Sequence, residues 1–203
     1  LALASPELEV VGITTVNGNV PLSMGKRNTL RVLELLKRTK IPVYSGSDRP
    51  LLRDPVYALE IHGLEGLGEA FLPDPDVQLA GDGIKFLIET LSACPGEIVL
   101  IATGPLTNLA LAEQCSPGIL SQARKVVVMG GVLEGSGNVT PSAEFNFFVD
   151  PEAARKVIRS EAPVLLVPLN ITRQVGLDKG RIKAQVMPLK TEKSQFIEAA
   201  VQT

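Results

Sequence analysis

The chain has 203 residues, 45% of them hydrophobic, with a formal net charge of −2 and no basic cluster. That length allows one sizeable buried core; the composition argues against disorder, and the charge balance gives no sign of a nucleic-acid or membrane-surface partner. An absence of Trp and 4% aromatic content remove the usual stacking platform for single-stranded nucleic acid. No run of about 18 apolar residues is present to span a bilayer, and no secretory signal pattern is visible. The two cysteines, Cys94 and Cys115, form neither a disulfide framework nor a zinc pattern. They fit a reducing compartment, and a cytoplasmic location is expected.

In chain order, Leu8 to Val16 is a β-branched apolar run, read as a buried strand. It ends in the turn signal Asn17-Gly18-Asn19. Leu30, Leu33 and Leu36 recur at helical spacing until Pro42 stops the helix, and residues 41–46 read as a second strand. From Ser47 to Pro75 no period survives, and a loop of that length in a compact domain is usually functional or disordered. Its Leu, Ile, Tyr and Phe residues disfavour disorder.

Val77 to Cys94 has helical character and is broken by Pro95-Gly96. Residues 98–102 read as a strand, with Thr103 as N-cap and Pro105 early in the following helix. A short helix (116–125), a strand (125–131) and a helix starting at Asp150-Pro151 follow. A strand at 164–169 and a terminal helix from Ser194 complete the pattern. Short apolar strands alternating with helices predict one α/β domain over residues 1–203: an open, mainly parallel sheet with helices on both faces.

In such sheets ligands sit where the strands end. Polar residues gather at those ends here: Asn17 and Asn19, Thr103, the stretch from Asn138 to Asn146, and Thr172 with Arg173. This favours a polar small-molecule site. The glycine spacings in HGLEGLG and GGVLEGSG lack the strand–GxGxxG–helix and GK[ST] contexts, so they read as turns. His62, the only histidine, lies in the irregular loop; a lone loop histidine is more often a surface or packing residue than a catalyst. Asp150 is explained by its helix start, whereas Glu144 has no capping rationale in the sequence.

The segments ITTVNGN, ATGPLTNLALA, VVVMGG, GNVTPSAEFNFFVDPEAA and LNIT, in this order, resemble the inosine–uridine-preferring nucleoside hydrolases over essentially the whole chain. The resemblance implies an open α/β fold that hydrolyses the N-glycosidic bond of ribonucleosides to ribose and free base. It implies Ca²⁺ holding ribose hydroxyls and the attacking water, an aspartate general base and an oxocarbenium-like transition state. By position, Asn19 matches an asparagine near the ribose and Met129 a residue lining the sugar site. Asn138, Glu144 and Asn146 match residues that bind ribose hydroxyls. Thr103 matches a calcium ligand through its main-chain carbonyl, and His62 a histidine near the leaving base. The small-molecule partner would be a ribonucleoside, and homodimers or homotetramers are common in the family.

The chain departs from the family pattern in two places. The aspartate-rich Asp-x-Asp-Pro-Gly-x-Asp-Asp motif, which supplies the base and most calcium carboxylates, is not in this sequence, nor is the late His-Asp pair. Asn170 also stands where an aspartate is common. The expectation is a fragment of a nucleoside hydrolase shortened at both ends; the alternative is a catalytically dead homologue that still binds ribose or nucleoside.

Overall fold

The computed structural model describes residues 2–176 and 178–201. Its strands are parallel and fall into two three-stranded sheets. In the first, β1 (Ile13–Thr15), β2 (Val43–Ser45) and β3 (Gly81–Asp82) lie side by side in that order. In the second the order is β4 (Val99–Ala102), β5 (Lys125–Met129), β6 (Val164–Val167). The α/β alternation and the parallel pairing agree with the sequence reading. The division into two sheets differs from the single sheet expected.

Helices α1 (Leu22–Leu35) and α3 (Gly83–Ala93) enclose the first sheet. Ile13 and Val43 are register partners and pack with Leu30 and Leu33 of α1. One residue further on, Thr14 and Tyr44 turn to the opposite face, as the pleat requires. There Phe86 of α3 stacks on Tyr44, with ring centroids 4.0 Å apart.

The second sheet has one well-buried face. Leu100, Ala102, Val126, Val128, Val164 and Leu166 share a core with Leu87 and Leu91 of α3, with α4 (Thr107–Cys115) and with α6 (Pro151–Ile158). The intervening residues Val99, Ile101 and Leu165 are 44%, 55% and 49% exposed. Ile101, Val127 and Leu165 stand in register across the three strands, so this second face is an apolar surface of a kind that parallel sheets ordinarily cover.

Among the described residues no ladder joins the two sheets. They are held together from outside, because α3 contacts β1, β2 and α4. Asn108 of α4 is the direct tie. Its Nδ2 donates to the Thr15 carbonyl at 2.9 Å, and its Oδ1 accepts from the Ser47 amide at 2.9 Å. A Cβ on Gly46 would run into this amide, so the close approach depends on glycine. Asn108→Ala is expected to lower unfolding free energy by about 1–3 kcal/mol, since it leaves the part-buried Ser47 N–H without its acceptor and the Thr15 carbonyl with Gly46 N as its one remaining donor. Chemical denaturation measures this, and a change within error would remove Asn108 as the tie.

Several boundaries differ from the sequence reading. Val77–Cys94 is not one helix: Ala80 donates to the Val43 carbonyl, Gly81–Asp82 form β3, and Asp82 then caps α3 through Lys85 N. Thr103 is not an N-cap, because α4 begins at Thr107, with Leu106 at its N-cap position. The strand predicted over Leu8–Val16 shrinks to β1, and the helix predicted over 116–125 is a 3-10 turn at Ile119–Gln122. Four helices had no clear period to announce them: α2 (Leu59–His62), α5 (Phe145–Val149), α7 (Leu169–Thr172) and α8 (Lys179–Gln185). The last helix, α9 (Glu192–Ala200), starts on a Thr191/Ser194 capping box. Gln202 and Thr203 of the predicted terminal helix, and Leu1, lie outside the described residues.

Arg53 grips Glu152 of α6 through Nε and Nη2, at 2.8–3.1 Å. That hydrogen bonding holds the Glu152 carboxyl below the usual glutamate range. The folded-state value being the lower one, the pair stabilises at neutral pH and loses its effect as pH falls through it. Both side chains are partly solvated, so the effect is small.

Candidate functional site

The polar residues singled out from the sequence do collect at the strand ends, in two groups. The larger lies beyond β4 and β5. Asn146, at the start of α5, donates from Nδ2 to the Thr103 carbonyl at 3.3 Å and to the Met129 carbonyl at 3.0 Å. The Met129 sulfur lies 3.3 Å from the same nitrogen. One side chain therefore links the ends of two neighbouring strands, and Thr103, Met129 and Asn146 form one contact set.

Glu144 sits directly beneath this set, 2% exposed. The structure corrects the sequence reading here, because Glu144 is the N-cap of α5. Its Oε1 accepts from Asn146 N at 2.9 Å, and its Oε2 from Phe147 N at 3.1 Å and Gly131 N at 2.8 Å. Gly131 has φ +70°, a left-handed conformation that favours glycine, and this turns its N–H back toward the carboxylate. The capping signal was hidden because α5 is only five residues long and has no hydrophobic period.

Asn138 is exposed, on the loop that leads into α5, and its Oδ1 accepts from Phe145 N at 2.9 Å. That loop is tightly wound: Asn138 N donates to Ala143 O at 3.0 Å, and Gly137 N to Pro141 O at 3.0 Å. Arg173, just beyond α7, holds it from the other side, donating to the Ser136 and Gly137 carbonyls at 2.8 and 3.1 Å. Asn170 Oδ1 accepts from Leu133 N at 3.3 Å. Sequence reasoning placed Thr172 and Arg173 at a strand end without seeing that Arg173 braces this loop.

The smaller group lies beyond β1. Asn19 is exposed, and its carbonyl accepts from Ala58 N at 2.8 Å. The Ala58 carbonyl in turn accepts from His62 N at 3.0 Å, so Asn19 and the half-buried His62 are coupled through the first turn of α2. Gly18 lies against the Pro105 ring, which brings the loops after β1 and β4 together. Asn17, fully buried between them, has neither amide atom hydrogen-bonded among the described residues.

The sequence stretch from Asp150 to Pro151 is helix punctuation, as expected, and more. Asp150 caps α6 through Ala153 N at 2.9 Å. Its other oxygen accepts from Leu51 N at 2.9 Å and Thr107 Oγ1 at 2.7 Å. Thr107 and Asn108, both in the motif ATGPLTN, are therefore structural ties.

A calcium ion takes six to eight oxygens. Among the described residues no group of three His, Cys, Asp or Glu side chains is placed to hold a metal. The Thr103 carbonyl is engaged by Asn146. The described residues by themselves do not fit a calcium site. No helix among the described residues is long and apolar enough to cross a membrane.

Comparison with known proteins bears directly on this geometry. The chain is 42% identical over 178 residues to probable uridine nucleosidase 2 of Arabidopsis thaliana, covering 86% of this chain and 55% of that protein. It is 40% identical over 202 residues to the pyrimidine-specific ribonucleoside hydrolase RihA of Salmonella arizonae, covering 98% of this chain and 65% of that one. The solved purine-preferring ribonucleoside hydrolase from Gardnerella vaginalis superposes with a TM-score of 0.93 at 34% identity, over 98% of this chain and 64% of that chain. The chain thus spans between just over half and about two thirds of the length of these relatives. The family model for inosine-uridine preferring nucleoside hydrolases matches residues 1–203. This chain belongs to the inosine-uridine preferring nucleoside hydrolase family.

Proposed function

We propose that residues 1–203 form one domain that carries the ribose-side part of a nucleoside hydrolase site. The observation that supports this most is the single hydrogen-bonded set of Thr103, Met129, Glu144 and Asn146 at the ends of β4 and β5. Asn138 and Asn146 offer amide donors and acceptors to sugar hydroxyls, and Glu144 an acceptor. Asn19 approaches the ribose from the β1 side. His62 stands on the base side and delivers the proton that the leaving base takes up as the C–N bond breaks. Water adds at the anomeric carbon, so the products are ribose and free base.

On this reading the general base and the calcium carboxylates are not among the described residues of this chain. Two features fit a further polypeptide segment packing here: the uncovered apolar face of the second sheet and the unpaired amide of Asn17. A buried amide costs stability until it finds partners. We assign the protein to nucleoside salvage in the cytoplasm, as a homodimer or homotetramer, and the oligomeric state is read by light scattering. The relatives above are a probable uridine nucleosidase, a pyrimidine-specific hydrolase and a purine-preferring one, and turnover of inosine against uridine reads the preferred base.

A second reading follows from the lack of any grouped metal ligands among the described residues: a protein that binds nucleoside without cleaving it. Calorimetry with inosine and uridine, with and without Ca²⁺ and alongside a ribose-release assay, separates the two. Calcium-dependent binding with ribose release supports the hydrolase. Calcium-independent binding without release supports the binding protein. Where turnover is present, His62→Ala is expected to slow it with little change in calcium affinity; loss of metal instead would reassign His62.

A further inference from the structure

Three charged side chains are buried among the described residues: Glu144, Asp150 and Arg31. The first two belong to the network already described. Arg31, 7% exposed on α1, has no part in it. Its guanidinium leaves its own helix to hold the chain segment that follows His62. Nη2 donates to Asp74 Oδ1 at 2.7 Å and Nε to the Pro73 carbonyl at 3.0 Å. Nη1 donates to Asn28 Oδ1 at 3.3 Å and lies 3.6 Å from Glu65 Oε2. Asn28 completes the grip by donating to the Glu65 carbonyl at 2.6 Å, and Arg27 pairs with the Glu65 carboxylate.

The segment held in this way cannot set its own shape. Gly63, Gly66 and Gly68 all have positive φ, at +75°, +74° and +62°, and glycine loses the most conformational freedom on ordering. Its internal backbone bonds are few: Gly66 N to Gly63 O at 3.0 Å and Gly68 N to His62 O at 2.8 Å, with Ala70 N to Leu67 O at 3.0 Å beyond them. The second of these returns the loop to His62 itself. The outer end is tied by Glu69 N to Ala199 O at 3.1 Å. His62 is thus fixed on one side by Ala58, and on the other by a glycine turn whose tip and exit are gripped from α1.

A buried guanidinium is an expensive way to add stability here. It gives up hydration to meet carboxylates that stay wet, with Asp74 75% and Glu65 54% exposed. What it supplies is direction, because the planar fork engages a carbonyl, an amide oxygen and a carboxylate at fixed angles. We propose that Arg31 is the positioning residue for His62: by latching residues 65–74 to α1 it sets where the imidazole stands relative to the strand-end site. The proposal rests on the reading above that His62 faces the nucleoside base.

His62 is the only histidine in the chain, so its imidazole Cε1–H gives a single proton resonance that reports the position directly, without any need for turnover. The experiment records that resonance and the amide exchange of Gly66 and Gly68 in the 203-residue chain and in three variants, Arg31→Met, Arg31→Lys and Asp74→Ala. In Arg31→Met and Asp74→Ala the His62 resonance is expected to move and the Gly68 amide to exchange about tenfold faster or more, while α3 amides keep their protection. Arg31→Lys is expected not to restore the resonance, because an ammonium cannot serve Pro73, Asp74 and Asn28 together. Asp74 is exposed and outside α1, so its variant guards against simple misfolding of Arg31→Met. An unmoved His62 resonance in Asp74→Ala, or a loss of protection spread evenly through α3, overturns the proposal. Titration with inosine separates it from the functional reading: variants that move His62, with no response of the wild-type resonance to inosine, would leave the latch standing and remove His62 from the base side.

Discussion

Asp150→Ala is expected to lower unfolding free energy by roughly 3–5 kcal/mol, the range seen when one member of a buried, hydrogen-bonded charged network is removed. The carboxylate is fully buried, and it joins three elements whose other polar links, Arg53–Glu152, Asn108–Ser47 and Lys156–Gln114, are part-buried or exposed. Leu51 N reports the segment after β2, Thr107 Oγ1 the start of α4, and Ala153 N the first turn of α6. Truncation removes a helix cap, worth about 1 kcal/mol. It also leaves two further donors, each costing about 1–3 kcal/mol when buried and unpaired. Thr107 can rotate its hydroxyl to a new acceptor, so the sum is not reached in full. Against a typical total of about 5–15 kcal/mol, the loss is readily measured as a fall in the urea midpoint at unchanged slope. Asp150→Asn retains one acceptor for Ala153 N but sets an NH₂ against Leu51 N–H or Thr107, and is expected to cost about half as much. A loss below about 1 kcal/mol for the alanine variant would mean that the three elements are held by packing alone.

The same residue shows what the sequence made readable. Asp150-Pro151 announces a helix start because an N-cap carboxylate followed by proline is a local signal. Its bonds to Leu51 and Thr107 span 99 and 43 positions, and no local pattern contains them. The parallel α/β arrangement was legible for a related reason. Residues 126–129 and 164–167 are continuous β-branched and aliphatic runs, the pattern of strands buried within a parallel sheet. β3 was not legible, because Gly81 and Asp82 carry no strand propensity and earn their place only through the ladder to Tyr44 and Ser45.

The division into two sheets was equally hidden, since strand edges are properties of neighbours in space. In the site, the residue types and their clustering were visible, and Thr103, Met129 and Asn146 do meet. The bracing role of Arg173 and the tie made by Asn108 were not visible, because each acts on a distant backbone carbonyl or amide. Thr103 was misread as a cap because threonine before proline looks like a helix start whichever residue begins the helix. The helix instead starts at Thr107.

Glu144→Ala is expected to cost about 2–4 kcal/mol in stability and to abolish measurable nucleoside binding. The stability term follows from three backbone donors, Gly131, Asn146 and Phe147, that lose a buried acceptor at once. The binding term follows from Asn146, whose orientation toward Thr103 and Met129 depends on the cap that starts α5. Alanine cannot separate a cap from a ligand contact, whereas glutamine can. Glu144→Gln keeps one carbonyl oxygen for the α5 amides, so α5 is expected to persist with a loss of about 1–2 kcal/mol. If Glu144 also accepts from a ribose hydroxyl, the glutamine variant weakens inosine binding by a further 1–3 kcal/mol, roughly 5- to 150-fold. Calorimetry and urea denaturation on the same preparation give the two numbers independently. A Gln variant that loses stability yet binds inosine as the wild type does would reduce Glu144 to a helix cap. The proposed ribose contacts would then rest on Asn19, Asn138 and Asn146.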